Sequence, residues 1–260
     1  MLPFWLSIGF LSLVQAALVA APKAPATHLL DRLRSRWWAL VLPLSIVIVI
    51  SAIAIDSASA RFLTYLALVA VPPLAAAAVA WLIRGARLEL ALGVLPLFAL
   101  AWAARGALGG QAAALALSAL ACVSLGWLVA CMVPAPWLKL GIYVMAAIDA
   151  WLVASDLLQG PNAVLNTVAP GGGLPRLQLA SFGSAVMGFG DLFVAATLGA
   201  LLASSSRRLQ LRGALLAAVL CVAFDLLFFA VDELPSTVPI ALTLAALELA
   251  GRTNPARPRR

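Results

Sequence analysis

The sequence predicts an all-α polytopic membrane protein, and three observations carry that prediction. The 260 residues are 64% apolar and only 10% charged, whereas soluble domains carry about 25% charged residues; mean hydropathy is +1.07. The apolar residues gather in runs of the length that a bilayer core demands of a helix, about twenty residues. The basic residues crowd into alternate loops between those runs.

Charge, Pro and Gly punctuation divide the chain into nine apolar helices. The first, Leu2–Ala21, is long and has no basic segment before it, so it reads as a retained span; the small residues of AALVAAPKA are the one feature of a cleavable leader. Trp37–Ile55 opens on two interfacial tryptophans. Phe62–Ile83 carries Pro72-Pro73, which should kink it and leave backbone groups for neighbouring helices to satisfy. Leu88–Ala104 is short. Ala112–Val133, Leu140–Leu158, Ala180–Ser204, Gly213–Val231 and Leu234–Ala250 complete the set. The Gly/Pro-rich stretch Gln159–Leu179 reads as a connection or a flexible gate.

Fourteen of the seventeen basic residues fall on one side if the spans alternate: Lys23, Arg32, Arg34 and Arg36; Arg84 and Arg87; Lys139; Arg207, Arg208 and Arg212; and Arg252, Arg257, Arg259 and Arg260. Arg61, Arg105 and Arg176 fall on the other. Short loops obey the positive-inside rule, so the N-terminus is expected outside and the C-terminus in the cytoplasm, which nine spans satisfy. The net charge of +7 therefore reports orientation and is no sign of nucleic-acid binding. Alanine richness and fifteen arginines against two lysines suggest a bacterial cytoplasmic membrane.

The chemistry-bearing residues are few. Cys122, Cys131 and Cys221 lie inside apolar runs and read as small packing residues, and the single histidine, His28, has no co-ligands nearby. No metal or organic cofactor is expected. Acid chemistry remains. Asp149 and Asp191 sit within successive apolar runs, at similar depth by a rise of about 1.5 Å per residue. A carboxylate there costs several kcal/mol, so it has a partner, a cavity or a task. Two close carboxyls in a low-dielectric site share a proton, the arrangement that aspartic proteolysis uses. Gly188 and Gly190 remove side-chain bulk beside Asp191.

Gly188-Phe189-Gly190-Asp191, followed by Leu192-Phe193, resembles the motif of the GxGD intramembrane aspartyl proteases, the presenilin and signal peptide peptidase family. Asp149 matches that family's first catalytic aspartate, although Ile148 stands in place of the usual tyrosine. Leu234-Pro235-Ser236-Thr237-Val238-Pro239 takes the place of the family's Pro-Ala-Leu motif, with threonine where leucine is expected. The resemblance covers about Leu140 to Ala250. It implies Asp149 and Asp191 as the catalytic pair, with Gly188, Phe189, Gly190, Leu234, Pro235, Ser236 and Pro239 shaping the substrate groove. It also implies a scaffold over residues 1–133, a catalytic part over 134–250 and a basic cytoplasmic tail over 251–260. Together with the expected orientation, it points to signal peptide peptidase-like handling of type II transmembrane peptides or leader-peptide remnants.

Other readings compete. Prepilin peptidases also carry GxGD, but Phe193 and Val194 occupy their lysine region and their cysteine-rich segment is missing. Asp156 lies seven residues after Asp149 on nearly the same face and is the alternative first aspartate. Asp225, in CVAFDLLFFA, has no motif, and with Asp149 and Asp191 it would suit a proton- or cation-coupled transporter. A degenerate family member would be an inactive binding scaffold.

Overall fold

In the computed structural model, which describes residues 3–26, 30–56 and 58–252, the chain is mostly helical with a single two-stranded sheet. Ten α-helices follow in order: α1 (Phe4–Ala20), α2 (Val41–Ile55), α3 (Ala58–Ala77), α4 (Val94–Ala103), α5 (Leu108–Met132), α6 (Ala135–Ala154), α7 (Gln159–Thr167), α8 (Phe189–Ser205), α9 (Arg207–Asp225) and α10 (Val238–Arg252). Five helical segments are long and apolar enough to cross a membrane: Arg36–Ile55, Ala58–Leu82, Leu108–Met132, Ala135–Ala154 and Arg207–Phe229. Four shorter apolar helices cover Phe4–Ala20, Leu88–Ala103, Phe189–Ser205 and Val238–Gly251. Each of the nine apolar runs of the sequence thus overlaps one of these helices. His28 and the tail from residue 253 onward lie outside the described residues.

The centre of the bundle is α8, whose side chains from Leu192 to Ala203 are all buried, packed against α5 and α1. Small residues bring the backbones together. A Cβ on Gly126 of α5 would come within 2.6 Å of Thr197 N, and one on Gly199 of α8 within 2.6 Å of Val19 O in α1. Close backbone approach of this kind is how apolar helices associate when no hydrophobic drive separates them from lipid. The peripheral helices are the reverse. Val47, Ile48, Phe62, Val69, Leu215 and Val219 are exposed, apolar surface of the sort that a lipid-facing helix presents.

Pro72 and Pro73 lie inside α3, which continues as a π-helical turn over Ala78–Leu82. Ser124 Oγ of α5 donates to Leu74 O, one residue past the proline pair, at 2.6 Å.

The largest departure from the sequence reading lies between Gln159 and Ser205. The expected connection contains α7 and a 3-10 turn at Gly171–Gly173. The run from Ala180 does not begin as helix. It forms a hairpin, β1 (Leu179–Phe182) antiparallel to β2 (Ala185–Gly188), with Phe182 paired to Ala185. The turn is Gly183-Ser184, and Gly183 has φ +61°, a conformation that glycine adopts without a Cβ penalty. Helix α8 starts only at Phe189.

The two ends of the bundle differ in charge. Arg84 N bonds Ala21 O, Lys23 N bonds Leu82 O, and Arg207 Nη1 donates to Ala20 O at 2.6 Å. The fully buried Gln210 ties this end together through Pro22 O and Gly199 O. At the other end, Arg105 bonds Gly173 O and Arg176 bonds Asn166 O.

Candidate active site

Asp149 sits on α6 and Asp191 at the third position of α8, where sequence reading expected both near mid-helix. Helix α6 starts at Ala135, five residues earlier than expected, and α8 starts nine residues later. These shifts leave the depth match intact. Asp149 lies fourteen residues from the start of α6, and Asp191 fourteen from the end of α8. At about 1.5 Å per residue, each is about 21 Å along its helix.

Two adjacent residues of the proline segment connect the two aspartates: Ser236 shares Gln15 Nε2 with the Asp191 carbonyl, and Thr237 bonds the Asp149 carboxyl. Asp149 is 5% exposed, and its Oδ2 accepts hydrogen bonds from Thr237 Oγ1 at 2.6 Å and Thr237 N at 3.4 Å. Asp191 keeps part of its surface open, and its Oδ2 accepts from Gly188 N at 3.0 Å. The GxGD segment thereby caps its own helix: the third residue reaches back to the main chain at the N-terminus, where free N–H groups favour a carboxylate. A Cβ on Gly190 would touch Met145 Cε at 3.5 Å, one turn from Asp149 on the same face of α6. The glycine marks where α8 meets α6.

The proline segment completes the site. Leu234, Pro235 and Ser236 are partly exposed, Pro239 is buried, and Thr237 crosses from this segment to Asp149. Thr237 precedes α10 directly, and its hydroxyl goes to the aspartate on α6. Phe189, the first residue of α8, offers its carbonyl to Cys122 Sγ at 3.7 Å. Asp156 falls outside the pair. It lies beyond α6 at φ +55°, exposed, with Oδ1 accepting from Gln159 Nε2 at 3.2 Å. Asp225 closes α9 and accepts from Ser12 Oγ at 2.8 Å.

Gln15 is the contributor that sequence reading missed. It lies in α1, inside the stretch assigned to scaffold, and is 1% exposed. Its Nε2 donates to Asp191 O at 3.3 Å and Ser236 O at 2.9 Å, joining the GxGD segment to the proline segment. The only signal was a glutamine in the middle of an apolar run. Among the described residues no group of three or more His, Cys, Asp or Glu side chains could hold a metal ion.

No family model, curated protein or solved structure matches the chain.

Proposed function

We propose that this chain is an intramembrane aspartic peptidase of nine spans, N-terminus outside and C-terminus in the cytoplasm, that cuts transmembrane peptides with Asp149 and Asp191. One observation supports the reading: at matching depth on two helices, the GxGD aspartate and Asp149 are both tied to the same proline segment, through Gln15 to Ser236 and through Thr237. The chemistry follows from the pair. One carboxylate takes a proton from water as the water oxygen bonds to the scissile carbonyl carbon. The protonated partner donates to the carbonyl oxygen, giving a neutral gem-diol. Collapse breaks the C–N bond; the nitrogen takes the first proton, and the second returns to its carboxyl.

A helical substrate hides its carbonyl carbons in hydrogen bonds, so it has to unwind. Strand β2 pairs with β1 along one edge and leads straight through Gly188 and Gly190 to Asp191. An extended peptide added to its other edge would gain main-chain hydrogen bonds and run past the carboxyls between Phe189 and the Leu234, Pro235, Ser236 and Pro239 segment. The test is cleavage of a reconstituted type II peptide in ¹⁸O-water. The reading expects one ¹⁸O in the new C-terminal carboxylate; no cleavage across a panel of such peptides contradicts it.

Asp225 favours a second reading, a proton- or cation-coupled transporter using all three intramembrane aspartates. Proton uptake by proteoliposomes that is lost in Asp225→Asn, with no peptide cleavage, would select it.

A further inference from the structure

Helix α1 is apolar in sequence, yet Ser12 and Gln15 turn inward and are each 1% exposed. Three residues apart, they share one face of the helix. Opposite them on α9 stand Cys221 and Asp225, four apart and also on one face. The two faces make two rungs. Ser12 Oγ donates to Asp225 Oδ2 at 2.8 Å, and Cys221 Sγ donates to Gln15 Oε1 at 3.4 Å. The second rung reaches the acid pair, because Gln15 Nε2 also holds Asp191 O and Ser236 O.

Between the rungs is a cleft lined by Ser12, Gln15, Cys221, Asp225, Ser236 and Pro239. It has room for about one water molecule, and a buried water needs two to four polar partners. This lining supplies them: the Ser12 hydroxyl, the Gln15 amide, the Asp225 carboxylate and the Ser236 group. Asp225 uses only one of its oxygens on Ser12, so the other is left to accept from water. Apolar side chains in these positions would pack α1 on α9 at lower cost, since a polar group out of water is expensive unless bonded.

We propose that the α1–α9 cleft is a water site, entered beside Asp225 and held by Ser12 and Gln15, that stores a water one side chain away from the main chain of Asp191. Use of that water in hydrolysis rests on the peptidase reading; its admission does not. A hydrolase enclosed by lipid needs such a supply for every turnover.

Cys221 is a natural reporter. In a Cys122→Ala/Cys131→Ala variant in proteoliposomes, brief X-ray radiolysis in ¹⁸O-water should oxidise Cys221 with an ¹⁸O label read by mass spectrometry, because hydroxyl radicals form from the bound water in place and no reagent has to enter a cleft the size of one water. Asp225→Leu in that background should slow the reaction by at least about tenfold, the lower range of what losing a buried polar partner does to an equilibrium. Elution volume and thermal midpoint check that both variants fold, and Asp225→Asn serves in place of the leucine variant if that one does not. Cys221 that stays unmodified, or that reacts at the same rate in the folded Asp225 variant, overturns the water site. Where peptide is cleaved, the Asp225 variant should lower kcat and leave KM in place. Labelling that depends on Asp225 without any cleavage would sink the peptidase reading and leave the water site standing.

Discussion

Thr237 decides how Asp149 is held. A buried carboxylate stripped of a donor loses about 1–3 kcal/mol, and valine copies threonine's shape without the hydroxyl. Thr237→Val should therefore lower stability by about that much and kcat by roughly ten- to a hundredfold, with KM nearly unchanged. Thr237→Ser should recover most of both. Thermal unfolding in detergent checks the bond itself: in an Asp149→Asn background, the Thr237→Val penalty should shrink, because the charged acceptor is gone. Asp149 was legible from its apolar surroundings; Thr237 stood out only as a departure from the family motif and was passed over for its neighbours Leu234, Pro235, Ser236 and Pro239. The bond between Thr237 and Asp149 was not legible, since 88 residues separate them and nothing local to Thr237 distinguishes a capping hydroxyl from one that reaches another helix.

At the scale of elements, α8 sits among α1, α5 and the hairpin because glycine opens two contacts. Gly126→Ala would push a Cβ within 2.6 Å of the Thr197 backbone, whereas Gly9 and Gly93 face open space. Gly126→Ala should cost about 1–3 kcal/mol as overpacking, with Gly93→Ala close to neutral; thermal midpoints in one detergent compare them. The hairpin escaped sequence reading for a physical reason. Short apolar strands and the start of an apolar helix have the same composition, and periodicity cannot separate them over four residues. Gly183, in its turn conformation, was the one local sign. Helix α7 was hidden in the same way by the glycines and prolines around it. The apolar runs themselves were readable because most are long, and each overlaps a helix, with the largest displacement at α8.

For the whole molecule, the side of the membrane is the open physical variable. Loops bearing Lys23, Arg84 and Arg207 meet at one end, and those bearing Arg105 and Arg176 belong to the other. The charge bias assigns the first end to the cytoplasm. Ser205 and Asn166 are exposed at these opposite ends. In a cysteine-free background, Ser205→Cys should react with an impermeant reagent only in inverted vesicles, and Asn166→Cys only in right-side-out ones. The reverse pattern would turn the protein over and, with it, the expected substrate direction from type II to type I.

The account depends most on Asp149 and Asp191 acting together on one water. The most direct measurement is cleavage of a reconstituted type II transmembrane peptide by the wild-type protein, Asp149→Asn and Asp191→Asn, followed by mass spectrometry. Asparagine keeps the shape of each side chain and removes the proton transfer, so each single variant should lose activity by at least about a thousandfold, and the double variant little more than either, as groups acting as a unit do. Cleavage by either single variant at the wild-type rate would contradict the pair.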